Sequence, residues 1–216
     1  MIKNELLLPV SLGEALDKLT ILDIKCEKIN DNRKVDVQKE YDILREKLNN
    51  FIIKYEMLYR SMKKINLIIW DQMDILRDGS ISDEHYMRLC RECINNNDIR
   101  FRIKNKINLI SNSQLKEQKS YKINRLLIKL NCNEQCFSLF IEPIKYFSFI
   151  YDEIIIQSLN NMDKIKNIFD YDSTIKYNIE LTDLVVKQTF IFNNNVYIKN
   201  EIYDILNITN EILQLF

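Results

Sequence analysis

The residue types able to do chemistry gather in a few stretches of the chain. Glu14, Asp17, Lys18, Thr20 and Lys25 stand on the first helical stretch, and Asn97, Arg100 and Lys104 follow one another much later at three- and four-residue steps, which makes them one stripe of a helix. Brought together, Asp17, Lys18, Asn97, Arg100 and Lys104 would form a pocket for an anion or a sugar, with Arg as a bidentate fork and Lys as a point charge for phosphate or carboxylate. The same residues also read as a structural polar network, because charged helix faces are usually solvated or paired. Glu14 and Lys18, four apart in the favourable order, need no ligand to explain them. The one catalytic candidate is Glu134, which follows a short apolar run: α/β folds place working residues at the end of the first parallel strand, and a carboxylate there could deprotonate a sugar hydroxyl. Its other reading is a loop acid, or a cap for the helix that begins near Cys136.

The remaining candidates are weaker. Five cysteines, Cys26, Cys90, Cys93, Cys132 and Cys136, form an odd set. Cys90 and Cys93 sit inside a helical pattern and His85 is the only histidine, so a zinc site is not expected, and no cofactor is called for. His85 falls in the first turn of a helix and reads as solvent-facing. Trp70 and Asn66 share a helix face, where Trp is more often core than a stacking platform. Neither Ser-His-Asp nor Cys-His catalysis has a signature.

Composition bounds the rest. The chain has 216 residues, 31 Lys plus Arg against 31 Asp plus Glu, and therefore no whole-chain field to draw it to nucleic acid or an anionic membrane. With only 2 Gly and 2 Pro it is built from long regular elements, and every glycine-rich phosphate loop is excluded. No apolar run approaches the ~20 residues that span a bilayer. The odd cysteine count and the lack of a secretory pattern at the start predict a reducing, cytoplasmic setting. Heavy use of Ile, Asn and Lys, residues with AT-rich codons, fits an AT-rich genome such as that of a giant DNA virus or an intracellular bacterium; if viral, the setting is the host cytoplasm.

The elements that must position these residues follow from periodicity. Ser11 and Glu14 form a capping box ahead of a helix over 11–28, whose buried stripe is Leu12, Leu16, Leu19, Leu22, Cys26 and Ile29. The cluster at 30–33 is a turn. A second helical pattern runs from about Val35 to Arg77, about 60 Å if continuous, which requires a bend, a hairpin arm, or a break near Asn49-Asn50. Asp78-Gly79-Ser80 stops it and Ser82-Asp83-Glu84 starts a third helix that runs to about Ile110. Past Tyr121 the period changes: strands over 125–130, 153–157 and 173–177 alternate with helices over 136–150 and 160–169, which implies a parallel sheet. One more strand near 196–198 and a final helix over 201–215 are expected. The fold class is thus α+β, with an antiparallel helical bundle or hairpin over 1–120 followed by a small α/β Rossmann-like half over 121–216.

Two resemblances add to this reading. Val10-Ser11-Leu12-Gly13-Glu14, Asp17-Lys18-Leu19-Thr20-Ile21-Leu22 with Ile24-Lys25, Asn66 with Trp70, Asn97-Asp98-x-Arg100 with Lys104 and Ile107-Asn108, and Glu117-x-Lys119-Ser120-Tyr121 together make the first half resemble an uncharacterised helical family, a domain of unknown function associated with bacterial polysaccharide-biosynthesis loci and giant-virus proteins. In the second half, Leu130-Asn131-Cys132-Asn133-Glu134, Ile144-Lys145-Tyr146-Phe147-Ser148 and Tyr151-Asp152-Glu153-Ile154-Ile155 resemble the acceptor half of a heptosyltransferase-like GT-B glycosyltransferase. Both glycines of that family's first loop are replaced, which holds the backbone away from a ligand, and Glu134 stands where the family has Asp. The resemblance implies that the chain ends where the nucleotide-sugar-binding half would begin, so a complete glycosyltransferase is not expected. The expected function is a non-catalytic or degenerate accessory protein linked to glycan biosynthesis, working through a protein partner or a homo-oligomer. The alternative is a glycosyltransferase-like or nucleotide-sugar-binding protein with a sugar or phosphosugar ligand.

Overall fold

The computed structural model of the chain describes residues 7–120, 122–130, 138–158, 162–179, 188–192, 196–198 and 201–202. Ser11 caps the first helix, α1 (Leu12–Lys28), with its hydroxyl accepting the Glu14 amide at 3.2 Å. Only this half of the expected capping box forms, because the Glu14 carboxylate turns instead to Lys104, at 3.0 Å. Leu16, Leu19 and Leu22 are buried as the stripe requires.

The long second pattern is two helices, α2 (Lys34–Lys54) and α3 (Glu56–Asp78). They meet at Tyr55, whose φ of −118° and ψ of 36° leave the helical region, while Asn49 and Asn50 remain helical and exposed. Tyr55 still donates to the Phe51 carbonyl and accepts from the Tyr59 amide, both at 2.9 Å, so the chain turns with its ladder intact. The turn lets both helices pack on α1, and it buries the Tyr55 ring. Gly79, in the left-handed region at φ 70°, ends α3, and Ser82 caps α4 (Asp83–Ile110) by accepting the His85 amide. Leu16, Leu19, Leu48, Ile52, Leu58, Tyr59, Met62, Ile65, Ile103 and Ile107 close the core of this helical part.

α1 and α4 approach closely at Gly13, whose amide donates to the Asn108 side chain at 2.7 Å. A Cβ there would collide with the Lys104 carbonyl oxygen and come within 2.8 Å of Asn108 Oδ1. Since the obstacle is backbone, Gly13→Ala is expected to cost about 1–3 kcal/mol in urea unfolding, and an unchanged midpoint would contradict this helix contact.

The second part is an α/β layer. Its strands are β1 (Arg125–Leu130), β2 (Glu153–Ser158), β3 (Ile175–Tyr177), β4 (Gln188–Phe192), β5 (Val196–Ile198) and β6 (Glu201–Ile202). They stand in the order β3-β2-β1-β4-β5-β6. The first four are mutually parallel, with Leu126 opposite Ile154 and Gln188, and β5 and β6 are antiparallel additions. A 3₁₀ turn (Ser138–Phe140) leads into α5 (Ile141–Ile150), and α6 (Met162–Ile168) joins β2 to β3. Leu126, Ile128, Ile154, Ile156, Ile144, Phe147 and Ile165 share one core. Leu127 and Ile155, of opposite parity, are buried as well, which is why these strands read as continuous apolar runs.

Two expectations are corrected. β4 lies in a stretch where no strand was expected, and Glu201–Ile202 is a strand paired to β5 in place of the start of a final helix; the remainder of that expected helix lies outside the described residues. The two cores meet at α5, where Phe149 points into the helical core and Phe147 into the sheet core.

Candidate functional site

α4 carries a basic residue at every second position: Arg100, Arg102, Lys104 and Lys106. Two residues advance a helix by about 200°, so alternate members must face opposite sides. Arg100 and Lys104 face α1. Arg102 and Lys106 face the α/β part. All four find carboxylates, and α4 is thereby tied to the elements on both its flanks.

On the α1 side, Arg100 grips Asp17 bidentately, Nε to Oδ1 at 2.9 Å and Nη2 to Oδ2 at 2.6 Å. Asp17 is 1% exposed. The Asn66 amide donates to Asp17 Oδ1 and to the Thr20 hydroxyl, both at 2.8 Å, and that hydroxyl donates to the Asp17 carbonyl at 2.7 Å. The hydrogen bonds to Asp17 push the Arg100 guanidinium above its ordinary range, with burial opposing them. Lys104 sits between Glu14 at 3.0 Å and Glu117 at 2.5 Å. Burial pulls its ammonium down, but the two carboxylates outweigh burial and hold it above its ordinary value.

On the other side, Arg102 donates to Asp152 at 2.8 Å, and Asp152 also accepts the Asn124 amide. Lys106 reaches both oxygens of Asp172, at 2.9 and 2.7 Å, and the Thr174 hydroxyl at 2.6 Å. Burial pulls the Lys106 ammonium below its ordinary value against the attraction of Asp172. At the start of β2, Glu153 takes Arg125 at 2.5 Å and Lys176 at 2.7 Å.

Of the residues singled out in the sequence, the structure therefore brings Asp17, Arg100 and Lys104 together, and it adds Asn66, Thr20, Glu14 and Glu117 to them. Lys18 lies apart from this group, on the surface, paired to Glu40 at 2.6 Å. Asn97 is exposed on α4. Trp70 and His85 are half-buried, so His85 is less open to solvent than its place in the first turn implied. Glu134 lies outside the described residues, as do Cys132 and Cys136; Cys26, Cys90 and Cys93 are free thiols. Among the described residues no group of three or more His, Cys, Asp or Glu could hold a metal ion, and no helix is long and apolar enough to cross a membrane. The residues that sequence reasoning passed over are Arg102, Lys106, Asp172 and Thr174. Their signal was the two-residue spacing of the basic residues, which no single solvated helix face can accommodate.

Glu153 makes this electrostatic arrangement testable by pH. Burial pushes its carboxyl up, but Lys176 and Arg125 outweigh burial and hold it below its ordinary 4.5. A depressed carboxyl stabilises the fold fully above the unfolded value, and that contribution disappears as pH falls through the folded one. The stability gap between the wild-type protein and Glu153→Gln is thus expected to be widest near neutral pH and to close below pH 4.5. Urea titrations across that range measure it, and a gap independent of pH would contradict the assignment.

Comparison with protein-family models, with curated proteins and with solved structures gives no match.

Proposed function

We propose that the chain is a non-catalytic accessory protein of a glycan-related system, working in the cytoplasm by holding a protein partner or a second copy of itself. The supporting observation is the state of the charged stripe. Arg100 is spent on Asp17, Lys104 on Glu14 and Glu117, and Lys18 on Glu40. An anion entering there would have to displace carboxylates already seated at 2.5–3.0 Å, and the charges that would attract it are cancelled within the fold. The glycan link rests on the resemblances of the two halves. Light scattering with chemical crosslinking, followed by pull-down from the native cell, tests the proposal: an oligomer or a reproducible partner is expected, and a strict monomer that retains nothing would overturn it.

The strand order favours a second reading. Chain order runs outward from β1 through β2 to β3, then restarts on the other side of β1 at β4, and open α/β sheets bind nucleotides outside the carboxyl ends of the strands at such a reversal. On this reading Glu134, in the segment after β1, is the general base of a glycosyltransferase-like or nucleotide-sugar-binding protein. A thermal-shift panel of sugar nucleotides and phosphosugars separates the two: a stabilisation lost in Glu134→Gln supports the second, and silence across the panel removes it.

A further inference from the structure

A half-open cleft of about 280 Å³ lies where the two parts of the chain meet. α4 lines it with Phe101, Asn105 and Leu109. The segment after α4 adds Gln118, Lys119 and Ile123, and the amino ends of β2 and β3 supply the opposite wall. It is therefore at the other edge of the sheet from the carboxyl-end crevice discussed above.

Three features of this cleft specify its ligand. First, the side chains of Asn105, Gln118 and Ser173 line it and make no hydrogen bond with any described residue, so two amides and a hydroxyl at its surface are open to a ligand. Second, its charges cancel. The carboxylates are Asp152, held by Arg102, and Glu153, held by Arg125 and Lys176. Against them stand two ammoniums, Lys176 and Lys119, and Lys119 is paired with Asp98 at 2.6 Å. A phosphate would meet both carboxylates and find no uncommitted cation. Third, Phe101, Leu109 and Ile123 give an apolar side to a volume just below the roughly 300–1,000 Å³ of drug-sized ligand sites. That is room for one ring.

We infer that this cleft binds a single neutral, polyhydroxylated ring: one sugar unit or a cyclic polyol, its apolar face on Leu109 and Ile123, since the Lys119 ammonium stands over the Phe101 ring at 4.7 Å, and its hydroxyls on Asn105, Gln118 and Ser173. The carboxylates keep lone pairs that can accept further hydroxyls, so the ion pairs around the rim add acceptors without adding net charge. Because both parts of the chain line the cleft, a bound ring bridges them. The inference rests on the chemistry of the lining alone. It stands whether or not the chain associates with partners, since light scattering reads association and ligand titration reads the cleft.

The test is an amide NMR titration of the full chain with neutral methyl glycosides of common hexoses and N-acetylhexosamines and with inositol, against inorganic phosphate and glucose 1-phosphate as charged comparators. At least one neutral probe is expected to give saturable shifts at Asn105, Gln118 and the 173–176 segment. Asn105→Leu is expected to weaken that binding about tenfold, the loss of roughly one hydrogen bond. Should that variant fail to fold, Gln118→Ala combined with Ser173→Ala, both exposed positions, asks the same question. No saturable shift from any neutral probe, binding undiminished in the variants, or stronger binding of the phosphates at these residues would each overturn the inference.

Discussion

Lys106→Ala is expected to lower the unfolding free energy by about 3–5 kcal/mol, enough to decide whether a domain of ordinary stability, about 5–15 kcal/mol, stays folded. Lys106 is 2% exposed and Asp172 is fully buried. The ammonium satisfies both carboxylate oxygens and the Thr174 hydroxyl, and it stands 5.8 Å from the centre of the Phe149 ring. Truncation leaves Asp172 with only the Thr174 amide and hydroxyl as donors, at 3.0 and 2.6 Å, and no cation paired to it. The cost is thus chiefly an orphaned buried charge rather than a lost attraction. That distinction has a consequence: Lys106→Met combined with Asp172→Asn removes both charges, keeps an acceptor for Thr174, and is expected to recover most of the loss. Urea unfolding of the two variants separates the cases, and a double variant as unstable as the single one would mean that packing, not charge, is at stake. The position of the pair adds a second readout. It joins α4 to the α/β part beside Phe149, so the single variant is also expected to raise amide hydrogen exchange first around residues 172–177.

How far the sequence could be read depends on whether each feature is decided locally. Ser11, Gly79 and Ser82 act on their own neighbours through caps and a left-handed turn, and α1, the end of α3 and the start of α4 fall where those residues predict. The strand over Arg125–Leu130 was equally legible, since its centre, Leu126, Leu127 and Ile128, is buried on both faces and so reads as a short apolar run. The turn at Tyr55 was not. Two exposed asparagines cost a helix only a few tenths of a kcal/mol each, whereas the turn that lets α2 and α3 share α1 is decided by packing that no local window contains. β6 is a case of the same kind: two residues become a strand because β5 lies beside them. For the candidate site, the spacing of Arg100 and Lys104 placed them on one stripe with a common purpose, but their partners Asp17 and Glu14 lie 83 and 90 residues away. Types and spacing therefore put Arg100 and Lys104 on one stripe, and left open whether a ligand or the fold itself would satisfy them.

Arg100→Ala and Asp17→Ala together decide that question, because the two sides of the pair are not equally buried. Arg100 keeps 26% of its side chain exposed and Asp17 only 1%. Removing Asp17 frees a guanidinium that can turn to water, so the expected cost is about 2 kcal/mol, that of the lost charge-assisted hydrogen bonds. Removing Arg100 strands a carboxylate that cannot turn, with the Asn66 amide as its remaining side-chain donor, and the expected cost rises to about 3–5 kcal/mol. The order of the two variants is the sharper test, since it does not depend on the absolute values. The double variant is expected to cost less than the sum of the singles by about 1–3 kcal/mol, the coupling of residues in direct contact. A cation kept for a ligand behaves in the opposite way: groups poised for function are commonly held at the expense of stability, so Arg100→Ala would leave the fold unchanged or firmer. If Arg100→Ala melts at or above the wild-type temperature, the reading of this pair as an internal tie fails, and the stripe on α4 becomes a binding surface after all.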